Sequence, residues 1–133
     1  MRTSVGALLI SRHRVLFVHR RADRMWYPDV WAIPGGHVEL DETAAEALAR
    51  ELREELGIEI TNPSNLPYRV VADEGFRLSV WIVVTGWTGA SVNRATNEHD
   101  DLRWVALDEL EDLSLAHPSY PELFLSALSV AGG

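Results

Sequence analysis

The sequence predicts an α/β (α+β) fold in which helices cover a mixed β-sheet. Three observations predict it. Short β-branched runs recur along the chain, two segments carry helical apolar spacing, and turn residues stand between them. In order, SVGALLI (4–10) and RVLFVHR (14–20) read as two strands joined at residues 11–14. RADRMWYPD (21–29) is a polar and aromatic loop, and VWAI (30–33) is a short strand stopped by Pro34, Gly35 and Gly36. A helix follows and ends at Gly57, then TNPSNLP (61–67) forms a loop. YRVVAD (68–73) and FRLSVWIVVTGW (76–87) are strands, the second long and rich in β-branched residues. TGASVNRATNEHD (88–100) reads as a loop, LRWVAL (102–107) as a strand and DELEDL (108–113) as a short helical turn. In YPELFLSALSV (120–130), Pro121 suits a first helical turn and Leu123, Phe124 and Leu128 share one side. Without repeats, low-complexity segments or linker, residues 1–133 are expected to form one domain.

Composition narrows the function. The chain has 133 residues, of which 47% are hydrophobic and 24% charged, ordinary for a globular protein. Twelve basic and twenty acidic residues give a formal charge of −8, which argues against a nucleic-acid polymer as partner. The same balance suits a site that gathers cations. With no cysteine, disulfides, thiolate metal sites and cysteine nucleophiles are excluded. The early apolar run VGALLI is too short for a signal-peptide core or a membrane span, so a cytoplasmic protein with no membrane partner is expected.

The central helix carries the most chemistry. Thr43 and Glu46 have capping-box spacing. Ala45, Leu48, Ala49, Leu52 and Leu56 form one apolar stripe. RELREEL (50–56) then packs three glutamates beside two arginines. Glu51, Glu54 and Glu55 are three and four residues apart and share another face, with Ala44 and Ala47 on that face one and two turns earlier. A solvated, salt-bridged surface is the plain alternative. Yet like charges at this spacing cost about 0.2–0.5 kcal/mol per pair. Clustered carboxylates next to small side chains are what a hard cation such as Mg²⁺ requires. Gly35 and Gly36 allow the backbone to pass close to such an ion. Spacing alone therefore points to a divalent-metal site.

The same stretch resembles the signature of the Nudix hydrolase family. Gly36 is followed after five residues by Glu42, and seven residues later by Arg50, Glu51 and Leu52; then come Glu54, Glu55, Gly57 and the aliphatic Ile58. The flanks HRRADRMWYPDVWAIPGG and NEHDDLRWVALDEL resemble MutT-type members. The resemblance implies the Nudix fold, a mixed sheet between helices, and a hydrolase that cleaves a nucleoside diphosphate-linked substrate with Mg²⁺, or with Mn²⁺ in its place. It implies that Glu51, Glu54 and Glu55 hold metal, helped by the carbonyl of Gly35. Arg50 would orient Glu51, and Gly36 and Glu42 would lie just outside the ligands. The family adds an acidic group from a later loop, as ligand or general base; Glu98 is the candidate and His99, Asp100 and Asp101 are its rivals. Arg50, Glu51, Glu54 and Glu98 are thus the expected catalytic residues.

Substrate contacts are expected from Arg21 or Arg24 to the phosphates or the base, and from Trp26 and Tyr27, beside Met25, by stacking on the base. A solvated basic loop and packing on the sheet edge are the alternatives. Trp31, Trp81, Trp87 and Trp104 are expected to pack in or at the rim of the core. The five histidines show no metal-ligand spacing and read as structural or solvated. The leading substrate is a small-molecule nucleotide, a nucleoside triphosphate, oxidised ones included, cleaved to monophosphate and pyrophosphate. Residues 116–122 lack an asparagine for reading a damaged base, and residues 71–77 lack the proline of ADP-ribose members. ADP-ribose, a nucleotide sugar or a dinucleoside polyphosphate is the alternative substrate, and a non-catalytic nucleotide sensor the alternative class. A monomer or homodimer is expected.

Overall fold

The structure is a computed structural model that describes residues 2–23, 25, 28–60, 66–73, 75–83, 87–88 and 98–130. Strand β1 (Arg2–Ser11) is buried from Ser4 to Ile10 without alternation, so both of its faces are covered. It runs parallel to β7 (Phe76–Val83) along one edge, and β7 pairs antiparallel with β6 (Arg69–Asp73). β1 joins β2 (Arg14–Arg20) through a two-residue turn whose Arg12 and His13 have φ of 51° and 66°. Two left-handed residues match the right-handed twist of a tight hairpin, although neither is a glycine. The other edge of β2 carries β9 (His99–Ala106) along its whole length.

Beyond the turn, β1 and β2 separate. The segment of β3 (Trp31–Ala32) and β4 (Gly35–His37) fills the wedge, β3 on β2 and β4 on β1. The Ala7 N–H donates to the Pro34 carbonyl between them at 3.0 Å. The result is a mixed seven-stranded sheet, with β5 (Glu59–Ile60) and β8 (Trp87–Thr88) as a separate small pair. α1 (Ala44–Leu56) packs over β1 and β4, and α2 (Tyr120–Val130) packs on β1 and on the 3₁₀ turn Leu107–Asp112. The Tyr120 ring meets Phe17 at 5.8 Å.

Both ends of α1 follow the local code. The Glu46 N–H donates to Thr43 Oγ1 at 3.1 Å, and the Thr43 N–H donates to Glu46 Oε1 at 2.9 Å. Gly57 closes the helix at φ 67°, and the next N–H, of Ile58, reaches back to the Leu52 carbonyl.

Several expectations are corrected. Gly35 and Gly36 do more than stop a strand: they belong to β4. The strand expected at 30–33 contains only Trp31 and Ala32. β9 begins at His99, inside the expected loop, because pairing to β2 extends it. Ala47 is fully buried and Ala49 only half-buried, so the helix turns further toward its glutamate face than the stripe implied. The long strand expected at 76–87 is described as β7 and β8, with 84–86 outside the described residues. Trp31 and Trp81 are buried and Trp104 half-buried, as packing residues should be.

Candidate active site

The site is built around Arg50. Its Nε donates to Glu42 Oε2 at 2.7 Å and one terminal nitrogen donates to Glu42 Oε1 at 3.0 Å, a two-pronged grip. The same nitrogen reaches the His37 carbonyl of β4 at 3.0 Å. The other terminal nitrogen donates to Glu51 Oε1 at 2.8 Å and to Glu54 Oε2 at 3.2 Å. One planar cation thus ties the turn before α1, the strand β4 and two helix carboxylates together. Arg50 holds the Glu42 carboxyl down to about 2, assisted by the Glu39 N–H.

The three glutamates of the helix face occupy unlike environments. The Glu54 side chain is 58% exposed, Glu51 15% and Glu55 4%. Burial pushes the Glu55 carboxyl well above the usual range; Glu51 and then Glu98 push it further, and Arg20 opposes them. Glu55 Oε2 is buried and accepts no hydrogen bond. Gly36 makes room for this arrangement, since a Cβ there would stand 2.4 Å from the Glu51 carboxyl carbon. At Gly35 a Cβ would stand 1.9 Å from the Val5 carbonyl, so only glycine lets β4 lie against β1.

The far side of the site comes from β9. Across the β2–β9 ladder His19 faces Asp101, whereas the next residue, Arg20, faces His99; Asp100 is therefore the extra residue of a bulge. The bulge sends its neighbours in different directions. Glu98 and His99 come to Glu55, the three offering ligand atoms within 4.8 Å of one another. Asp100 turns to His19 Nδ1 at 2.5 Å, and Asp101 accepts the Leu102 N–H at 2.8 Å. Close carboxylates, one of them buried with an orphaned oxygen, fit a hard divalent cation, which would offset their mutual repulsion.

The NUDIX domain family matches residues 1–125. The chain belongs to the Nudix family. It is 31% identical to the nucleoside triphosphatase NudI of Klebsiella pneumoniae subsp. pneumoniae, over 96% of this chain and 97% of that protein. The MutT NUDIX hydrolase of Burkholderia pseudomallei superposes with a TM-score of 0.74 at 26% identity, covering 96% and 97% of the two chains. The E. coli ORF135 protein does so at 0.73 and 32% identity, covering 98% and 92%. This chain is accordingly a MutT-like Nudix hydrolase, an enzyme acting on phosphorus-containing acid anhydrides.

Gly36, Glu42, Arg50, Glu51, Glu54 and Glu55 of the Nudix box lie together, Gly35 stands beside Gly36 on β4, and Glu98 joins Glu55 from outside the box. The loop residues behave differently. Arg21 grips Asp23 through Nε at 3.0 Å and a terminal nitrogen at 3.2 Å, while its neighbour Arg20 acts on Glu55. Arg24, Trp26 and Tyr27 lie outside the described residues, and Met25 is 85% exposed. His99, read with the other histidines as structural or solvated and also as a rival of Glu98, is 4% exposed, and its Nε2 stands 3.6 Å from Glu55 Oε2. Among the described residues no helix is long and apolar enough to cross a membrane.

Proposed function

We propose that this Nudix hydrolase is a divalent-metal-dependent pyrophosphohydrolase of nucleoside triphosphates, releasing nucleoside monophosphate and pyrophosphate. The observation that carries the reading is the buried Glu55 carboxylate with its unbonded oxygen, set among Glu51, Glu98 and His99. Likeness to proteins named nucleoside triphosphatase over nearly the whole chain supports the substrate class. Glu51, Glu54, Glu55 and Glu98, with the Gly35 carbonyl, would hold Mg²⁺, or Mn²⁺ in its place. A divalent ion held there would neutralise phosphate charge and would make water a better nucleophile. The chain's own work is positioning. Arg50 keeps Glu51 and Glu54 oriented. Glu98 takes the proton from water as its oxygen bonds to phosphorus and the anhydride P–O bond breaks toward the leaving group. Arg21, Arg24, Trp26 and Tyr27 are assigned to the nucleotide, and Gly36 and Glu42 to support of the ligands. A panel of nucleoside triphosphates, ADP-ribose, nucleotide sugars and dinucleoside polyphosphates with Mg²⁺ tests the reading. Monophosphate plus pyrophosphate is expected, with no turnover in excess EDTA. AMP plus ribose phosphate as the main product, or undiminished turnover in EDTA, would overturn it.

Glu98→Gln separates the loop carboxylate from its neighbours. It is expected to lower kcat by about 10²-fold or more with a smaller change in KM. Asp100→Asn and Asp101→Asn, whose side chains point to His19 and to the backbone, are expected to stay within about threefold of the parent. Collapse of either control with Glu98→Gln active would move the role to that aspartate.

A further inference from the structure

We propose that His99 supplies a nitrogen donor to the metal centre through Nε2, making it a mixed oxygen–nitrogen site that favours first-row transition ions relative to Mg²⁺. The inference rests on the divalent-metal reading above and adds a ligand and a selectivity to it. His99 Nε2 and Glu55 Oε2 are 3.6 Å apart, on side chains that are each 4% exposed. That separation is too long for a hydrogen bond, which would draw the pair to about 2.7–3.2 Å. It suits two donors on one ion: with bonds of about 2.0–2.2 Å, ligand atoms stand roughly 3–4.3 Å apart. Glu55 Oε2 accepts no hydrogen bond and is buried against this imidazole, and Glu98 completes the group within 4.8 Å.

His19, one pair away on β2, shows the contrast. Its Nδ1 faces Asp100 at 2.5 Å and its Nε2 faces Asp29 at 3.0 Å, so both nitrogens are engaged by carboxylates. Burial opposes its charged form, but the two aspartates together raise its pKa. His19 is held by Asp29 and Asp100 away from the cluster, whereas His99 Nε2 faces Glu55 within it. The selectivity follows from donor chemistry. Carboxylate and carbonyl oxygens suit Mg²⁺, and an imidazole nitrogen shifts affinity toward the transition ions.

Pulsed EPR of the metal-free protein loaded with Mn²⁺ reads the donor directly. Nitrogen hyperfine coupling is expected in the parent and is expected to vanish in His99→Gln. In competition titrations, His99→Gln is expected to weaken Co²⁺ binding by about 10-fold or more, with Mg²⁺ binding nearly unchanged. Bound Mn²⁺ without nitrogen coupling in the parent overturns this inference and leaves the pyrophosphohydrolase reading standing. Coupling that persists in His99→Gln also overturns it, and equal losses for Co²⁺ and Mg²⁺ would make His99 a packing residue. Failure of the parent to bind Mn²⁺ at all overturns both readings. The parent measurement needs no variant, so poor folding of His99→Gln would not protect the claim.

Discussion

Glu55→Gln is expected to remove nearly all turnover while making the metal-free protein more resistant to heat. The two effects share one cause. The Glu55 carboxylate is buried, its Oε2 accepts no hydrogen bond, and Glu51 and Glu98 stand beside it. A glutamine keeps the shape, drops the charge and can donate to those neighbours. Loss of a preorganised electrostatic group costs about 10²–10³-fold in kcat. Relief of the buried charge is worth about 1–2 kcal/mol, or several degrees in Tm for a chain of this size. The pH dependence has a definite sign. The folded-state pKa of Glu55 lies above its unfolded value, so the strain is absent in acid, where both states are protonated. Strain develops as pH rises from the ordinary carboxylate value toward the raised one. The Tm of the metal-free parent should therefore fall across that window, and Glu55→Gln should flatten the slope. A lower Tm for the variant at neutral pH would show that Glu55 is not held against its charge.

Arg50→Ala is expected to cause the largest loss of stability. The side chain contacts Glu42, Glu51, Glu54 and the His37 carbonyl, and the Glu42 and Glu51 side chains are only 14% and 15% exposed. Deleting the cation leaves two half-buried carboxylates without their charged donor, at about 1–3 kcal/mol. Arg50→Lys should fall between, because a point charge cannot bridge partners that a planar fork holds at once. The same grip sets an acid limit. The Glu42 carboxyl is depressed to about 2, so its contribution is complete above the ordinary carboxylate pKa and is lost as pH falls through about 2. Urea unfolding at pH 7 and pH 3 reads both effects; in Arg50→Ala the acid-dependent part should shrink. Unchanged stability of Arg50→Ala would mean that the network forms without supporting the fold.

Much of this was legible in residue order, for reasons that differ by element. The helix α1 was readable because its signals are local: a capping box spanning three residues, a glycine that accepts a left-handed φ, and an apolar stripe between them. Strands β1, β2, β6 and β7 were readable from composition because their β-branched runs are bounded by turns. β4 was not, since Gly35, Gly36 and His37 have no strand propensity and pair only because β1 and β2 separate and leave an edge open. Burial of Glu55 had a faint signal, as it follows Leu48 and Leu52 at core spacing, but a carboxylate at such a position ordinarily reads as surface.

The sequence by itself determined the family box, the ends of the helix that carries it and the carboxylates that share one of its faces, because each depends on residues within a few turns of one another. Tertiary structure alone decided how those carboxylates differ, from exposed Glu54 to buried Glu55, and which residues meet them from β9. That outcome depends on a one-residue bulge between β2 and β9, which turns Asp100 to His19 and brings Glu98 and His99 to Glu55. Strand register is set by pairing between distant segments, and with a side-chain period of two, a single inserted residue exchanges the side chains that face the site for those that face away.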